Sequence, residues 1–186
     1  MLVRAHSFAI DRGSAGHVDV ELDLRAGLPT LAVIGLGGGS ARELRERVQA
    51  AVLNSGFAFP RRRLTVNVAP ATRKGGPEFD LAVACCLLAS TGALNPARLQ
   101  RIGLCAELGL GGELRSPSGA GTVAEAAALA GLAGLVVART DLQATRLSGV
   151  IPVAGLGTLR EVVALLGASP RVIERAFRRG TLAAAG

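Results

Sequence analysis

The residues most able to do chemistry in this chain are the cationic side chains between positions 42 and 74. Arg61-Arg62-Arg63 opens a predicted strand directly after Phe57-Ala58-Phe59-Pro60, and Arg42, Arg45, Arg73 and Lys74 flank it. Guanidinium and ammonium groups at that density contact phosphates without reading bases. Residues 42–74 carry a net charge of +6 in a chain whose total is +7. This asymmetry suggests an anionic partner, with nucleic acid the usual candidate. Stacking platforms are almost missing: there is no Trp or Tyr, and only Phe57 and Phe59 lie near the run. Any contact is therefore expected with the backbone of DNA rather than its bases. The competing reading is a solvated strand end.

Other groups invite chemistry less strongly. Gly35-Leu36-Gly37-Gly38-Gly39-Ser40 lies between a predicted strand and a helix, the setting of a dinucleotide fingerprint. No acidic residue closes the following strand, so a strand-to-helix turn is the better reading. Lys74 is the only lysine, and glycines follow it rather than precede it, so no P-loop is encoded. His6 and His17 read as ordinary strand histidines. Asp80 falls in the first turn of a predicted buried helix, where it favours that helix's amide dipoles. Cys85, Cys86 and Cys105 lack C-x-x-C spacing and read as small buried thiols. These readings imply no catalytic residue, no metal ligand and no cofactor.

The elements that must position these groups follow from hydrophobic periodicity. Val3–Ile10 and His17–Leu24 read as a hairpin around Asp11-Arg12-Gly13-Ser14, with Val18, Val20, Leu22 and Leu24 on one face. Residues 31–34 and 64–69 read as further strands. Ser40-Ala41-Arg42-Glu43 matches a capping box, followed by the apolar stripe Leu44, Val48, Ala51 and Val52. Residues 78–89 are apolar nearly all round, which predicts an interior helix. Strands are expected at 102–106, 113–114, 134–138 and 150–153. Thr122, Thr140 and Thr158 each begin a further box-like pattern, and a last helix is expected over 171–179 after Pro170. The alternation late in the chain predicts parallel pairing.

The fold class is thus α/β (α+β): a mixed sheet with helices packed on it. At 186 residues the chain can bury a core, expected over 1–168, with an arginine-rich helix and tail over 169–186. No apolar run reaches the ~20 residues of a membrane span. With no signal-peptide pattern at the N-terminus and no paired cysteines, the expectation is a cytoplasmic protein without a membrane partner.

Many short matches in order make the sequence similar to the N-terminal domain of the Mg-chelatase-like ComM/YifB proteins. They include Gly27-Leu28-Pro29, Ile34-Gly35-Leu36, Arg42-Glu43, Arg45-Glu46-Arg47-Val48, Asn54-Ser55-Gly56-Phe57, Thr65-Val66-Asn67, Lys74-Gly75, Phe79-Asp80-Leu81, Gly112-Glu113-Leu114-Arg115 and residues 159–163. The resemblance implies a fold like the proteolytic domain of Lon, within the ribosomal-protein-S-five domain-two-like group. It also implies association with an AAA+ ATPase module or self-association, and a role beside DNA branch migration during natural transformation. Two departures bear on catalysis. Lon-type peptidases place a nucleophilic Ser after Gly-Pro, where this chain has Glu78 after Gly76-Pro77. Their general-base Lys falls near Gly119–Thr122, where this chain has Gly121. Without a nucleophile and an amine in reach of each other, no Ser–Lys dyad forms. The family also commonly has Pro-Asp-Ala where this chain has Gly37-Gly38-Gly39. The expectation is a non-catalytic accessory domain; the alternatives are a degenerate Lon-like peptidase or a remnant without independent function.

Overall fold

A computed structural model describes residues 1–71 and 75–181. Strands β1 (Leu2–Asp11) and β2 (Ser14–Arg25) form the predicted hairpin. Its two-residue turn is Arg12-Gly13, both with positive φ (47° and 82°), as a tight hairpin turn requires. Then come β3 (Thr30–Ile34), helix α1 (Gly38–Asn54), β4 (Arg63–Ala69) and helix α2 (Asp80–Ser90). Strand β5 (Ile102–Cys105) precedes a small hairpin of β6 (Glu107–Leu108) and β7 (Leu114–Arg115). Helix α3 (Val123–Leu129), β8 (Gly134–Ala138), α4 (Leu142–Arg146), β9 (Val153–Leu156), α5 (Leu159–Gly167) and α6 (Pro170–Arg179) complete the described chain.

Seven strands make one mixed sheet in the order β3-β4-β2-β1-β5-β8-β9. The centre, β4-β2-β1, is antiparallel, while β3 joins β4 in parallel and β1-β5-β8-β9 are all parallel. The expected α+β class with late parallel pairing is therefore what forms.

The larger core lies on one face. Val20 and Leu22 of β2, and Val66 and Val68 of β4, pack there against α1 and against α2, whose residues 80–89 are all buried. Further along the same face, Val136 and Ala154 meet α5, and α6 contributes Ala176 and Phe177. A smaller core covers only part of the opposite face, where Phe8, Leu135 and Val137 pack with Val123 and Ala127 of α3. Gly103 of β5 must be a glycine, because a Cβ there would lie 2.8 Å from the Phe8 ring. The rest of that face, over β2 and β4, carries Asp19, Glu21, Thr65 and Asn67 at partial exposure.

Three capping expectations are corrected. Helix α1 begins at Gly38 with Gly37 as N-cap, two residues before Ser40, and no side chain caps it. The Thr122 hydroxyl donates back to the Gly119 carbonyl (3.0 Å) and does not cap α3. Thr140 lies inside a 3-10 turn, and α4 starts at Leu142. The fourth pattern holds: Thr158 Oγ1 accepts the Glu161 amide hydrogen at 3.2 Å. The strand expected at 150–153 forms instead at Val153–Leu156. Pro152 has no amide hydrogen to pair, though its carbonyl accepts from Leu135 (3.0 Å), so the ladder proper starts one residue later. Gly155, inside β9, lets the Arg139–Leu142 segment approach closely: a Cβ there would lie 2.7 Å from Leu142 Cβ. No described helix is long and apolar enough to cross a membrane.

Candidate nucleic-acid interface

The arginine run is built at one end of the sheet. Arg63 is the first residue of β4 and sits opposite Arg25 of β2 on one side and Thr30 of β3 on the other. The Arg62 carbonyl accepts from the Thr30 amide (3.2 Å), which fixes the chain just ahead of the strand. Arg61, Arg62 and Arg63 are all exposed, and none is ion-paired among the described residues. Alternation explains the outward-facing Arg63: Leu64, Val66 and Val68 occupy the buried phase of β4. A groove of about 350 Å³ lies beside Arg61, lined by Pro29, Leu31, Gln49, Leu53 and Phe59. Its Phe59 is half-buried and packs on the core, so it is no free stacking platform.

Of the seven cationic residues grouped by sequence, the five described ones, Arg42, Arg45, Arg61, Arg62 and Arg63, do not form one patch. Arg42 is exposed in the first turns of α1 and lines a shallow surface with Glu43, Glu46 and Arg47. Leu53, beside Arg61, lies eleven residues further along that helix, roughly 16 Å away along its axis. Arg45 is half-buried and donates to the Leu31 carbonyl of edge strand β3 (3.4 Å), which brings it nearer the run than Arg42. Arg73 and Lys74 lie outside the described residues.

Arg47 belongs to the same stretch of sequence and has a different fate. Its Nε donates to Asp80 Oδ2 at 2.6 Å and its Nη2 to Oδ1 at 3.1 Å. Asp80 is fully buried, and its Oδ2 also accepts the Leu108 amide (3.1 Å). Asp80 stands in the first turn of α2, as expected, and its carboxylate also ties α1, α2 and β6 together. Burial pushes the Asp80 pKa up to about 7, against the opposing pull of Arg47 and the Leu108 amide. Hydrogen bonding to Asp80 raises the Arg47 pKa further. The i,i+4 pair read from sequence, Glu43 with Arg47, is present but looser, at 3.6 Å.

The turn before α2 is occupied. Glu78 is buried, and its Oε2 accepts the Gly76 amide (2.9 Å). The Glu78 carbonyl accepts from Ser7, whose hydroxyl also reaches the Leu104 carbonyl at 2.8 Å. All three cysteines are buried thiols. Burial pushes Cys85 up to about 12, and Cys86 and Cys105 are likewise raised, Cys105 also by the charges of Glu78 and Asp141. None is an activated nucleophile at neutral pH. Gly121 is exposed in the 3-10 turn ahead of α3.

Sequence reasoning missed one cluster. The hairpin register sets His6 opposite Asp19 and Phe8 opposite His17, so two histidines eleven residues apart in the chain meet. His6 Nδ1 lies 3.0 Å from His17 Nε2 and 3.2 Å from Asp19 Oδ1. The signal was available: a two-residue turn at Arg12-Gly13 dictates that pairing.

Known proteins resemble this chain in sequence. The profile of the family described as subunit ChlI of Mg-chelatase matches residues 20–141. The chain belongs to that family. Its relatives include YifB of Salmonella typhimurium, 37% identical over 131 residues, which are 70% of this chain and 26% of the relative. An uncharacterized protein of Mycobacterium tuberculosis is 36% identical over 170 residues, 90% of this chain and 34% of the relative. Competence protein ComM of Haemophilus influenzae is 38% identical over 103 residues, 55% and 20% of the two chains. This ChlI-family chain thus corresponds to the N-terminal domain of ComM/YifB proteins and spans about a third or less of these relatives' length.

Proposed function

We propose that this ChlI-family chain acts as a non-catalytic accessory domain that contacts nucleic-acid backbone beside an ATPase of the ComM/YifB type. The observation that carries this reading is the exposed Arg61-Arg62-Arg63 run at the sheet end, whose side chains are in no ion pair among the described residues; Arg45 lies nearby, and Arg25 there is paired with Asp23. Phosphates are the ligands such a rim suits. Bidentate guanidinium geometry matches them, and little aromatic surface is present to read bases. The competence protein among the relatives is consistent with work on DNA. A cytoplasmic site of action suits a partner of that kind. The occupied Glu78 turn and the inert cysteines support the non-catalytic half of the reading.

Fluorescence anisotropy with labelled single- and double-stranded DNA across a salt series tests it. Binding should weaken as salt rises. Replacing Arg61, Arg62 and Arg63 by Ala should weaken it alike for every sequence and lower the salt slope by about one for each phosphate no longer neutralised. No binding at any salt concentration would refute the DNA half. Proteolysis of an unfolded substrate, abolished by Glu78→Ala, would refute the non-catalytic half.

A second reading, assembly, rests on β3. It is an edge strand whose outer side has no partner strand among the described residues, and Ile34 is half exposed. Such edges pair with other chains unless blocked. Sedimentation of the wild type against Ile34→Lys tests this: a single monomeric species for the wild type at high concentration would rule out self-association through the edge.

A further inference from the structure

We propose that His6, His17 and Asp19 form a binding site for a borderline divalent metal ion of the zinc and cobalt class. The three side chains share the open face of the β1–β2 hairpin. Asp19 stands directly across from His6, and His17 stands two residues from Asp19 on the same face of β2. The donor atoms form a compact triangle: 3.0 Å between His6 Nδ1 and His17 Nε2, 3.2 Å between His6 Nδ1 and Asp19 Oδ1, and 3.7 Å between His17 Nε2 and Asp19 Oδ1. An ion about 2.0–2.2 Å from each donor needs neighbouring donors roughly 3–3.5 Å apart. The triangle is therefore close to coordination size, with only the longest edge needing to close slightly. Among the described residues this is the one such group of His, Cys, Asp and Glu donors.

The surroundings prepare the donors. His6 Nε2 lies 3.1 Å from the Gln100 carbonyl oxygen. A carbonyl only accepts, so Nε2 donates there, and Nδ1 is the ring atom that faces His17 and Asp19. That is the arrangement by which a backbone carbonyl orients a metal-ligating histidine. Among the charged groups nearby, Arg4 is committed to Glu21 at 2.8 Å, and Glu21 also accepts from Asn67 at 3.1 Å. Without a metal, the His17 and His6 ring nitrogens can only share a proton. An ion would take that proton's place.

The donor set also selects the ion. Two imidazoles and one carboxylate suit zinc, cobalt or nickel; magnesium and calcium prefer an all-oxygen shell. The site would thus discriminate against the metal in the family's name. Three protein ligands with partly exposed side chains leave a coordination position open to water or to a further ligand. Because His6 sits beside Gln100 and Gly103, the ion would hold the β1–β2 hairpin at its junction with the parallel half of the sheet.

The chain has only two histidines, so a tagless preparation stripped with chelator gives an unambiguous test. Zinc titrated by calorimetry, and cobalt followed by its visible absorption, should each bind one ion per chain. Long-range imidazole NMR should show both rings perturbed by zinc. His17→Ala and Asp19→Asn should each weaken zinc binding by roughly tenfold or more, whereas Glu21→Gln should leave it unchanged, and excess magnesium should not compete. Both ligands are on the open face, so the variants should keep the wild-type circular dichroism. Should His17→Ala fail to fold, Asp19→Asn carries the same expectation. Absence of zinc and cobalt binding by the wild type would overturn the proposal, as would undiminished binding in the folded variants.

Discussion

Arg47 and the Arg61–Arg63 run lie in one charged stretch, yet they do opposite work. Arg47 is mostly buried and holds a fully buried carboxylate bidentately, joining three elements. The run is exposed and pairs with nothing described. Burial makes the difference. A charge removed from water must find a partner of good geometry or cost several kcal/mol, whereas a solvated one stays free to meet an outside ligand. Net charge along the sequence therefore overstates the binding surface. Part of the positive charge is neutralised inside the molecule, and Arg42 sits well along α1 from the run.

The largest expected effect breaks the buried side of this contrast. Arg47→Ala should destabilise the fold by about 3–5 kcal/mol, because it strands Asp80 in the interior. Replacing both partners by leucine should recover most of that loss. Urea unfolding of the two variants checks this, and equal stability of Arg47→Ala and wild type would remove the distinction. Next in size is the Thr158 cap of α5. Thr158→Ala should cost about 1 kcal/mol, whereas Thr122→Ala, which removes no cap, should cost a few tenths. The triple Ala variant of Arg61, Arg62 and Arg63 should then change stability by no more than about 0.5 kcal/mol per site while weakening DNA binding. A large stability loss would show that the run is structural after all.

The smallest effect concerns Asp141. Its Oδ1 accepts from Ser116 at 2.5 Å, while Oδ2 is buried and finds no hydrogen-bond partner among the described residues. Burial raises its pKa, with Ser116 opposing. The folded state then binds its proton more readily than the unfolded state, so this group's contribution to stability declines as pH rises above about 4. Asp141→Asn should be closest to wild type in stability at pH 4 and should gain relative to it toward pH 7. Thermal melts across that range decide the matter, and a constant gap would contradict the sign.

Much of the architecture was legible because the two halves of the sheet obey different period rules. In β2 and β4 strict alternation announces a strand covered on one face. In β5, β8 and β9 every residue is buried, so short apolar runs and intervening helices identify a parallel sheet covered on both sides. The failures were local. The Ser/Thr-x-x-Glu/Gln pattern occurs four times, but only Thr158 has the extended backbone and unobstructed hydroxyl that a cap needs. At Thr122 the preceding 3-10 turn captures the hydroxyl. At the candidate sites, the exposed run could be read from alternation alone. The Arg47–Asp80 pair, 33 residues apart, depends on how α1 crosses α2. The histidine pair follows from the hairpin's register alone.

The buried Glu78 has one more implication. Its carboxylate closes on the amide two residues earlier, and a Cβ at Gly75 would collide with it. Turn and side chain are therefore mutually dependent, and neither can change alone. A Glu78→Ser substitution would open a void and orphan the Gly76 amide. In protein engineering, residues 75–78 must therefore be altered as a unit rather than one at a time.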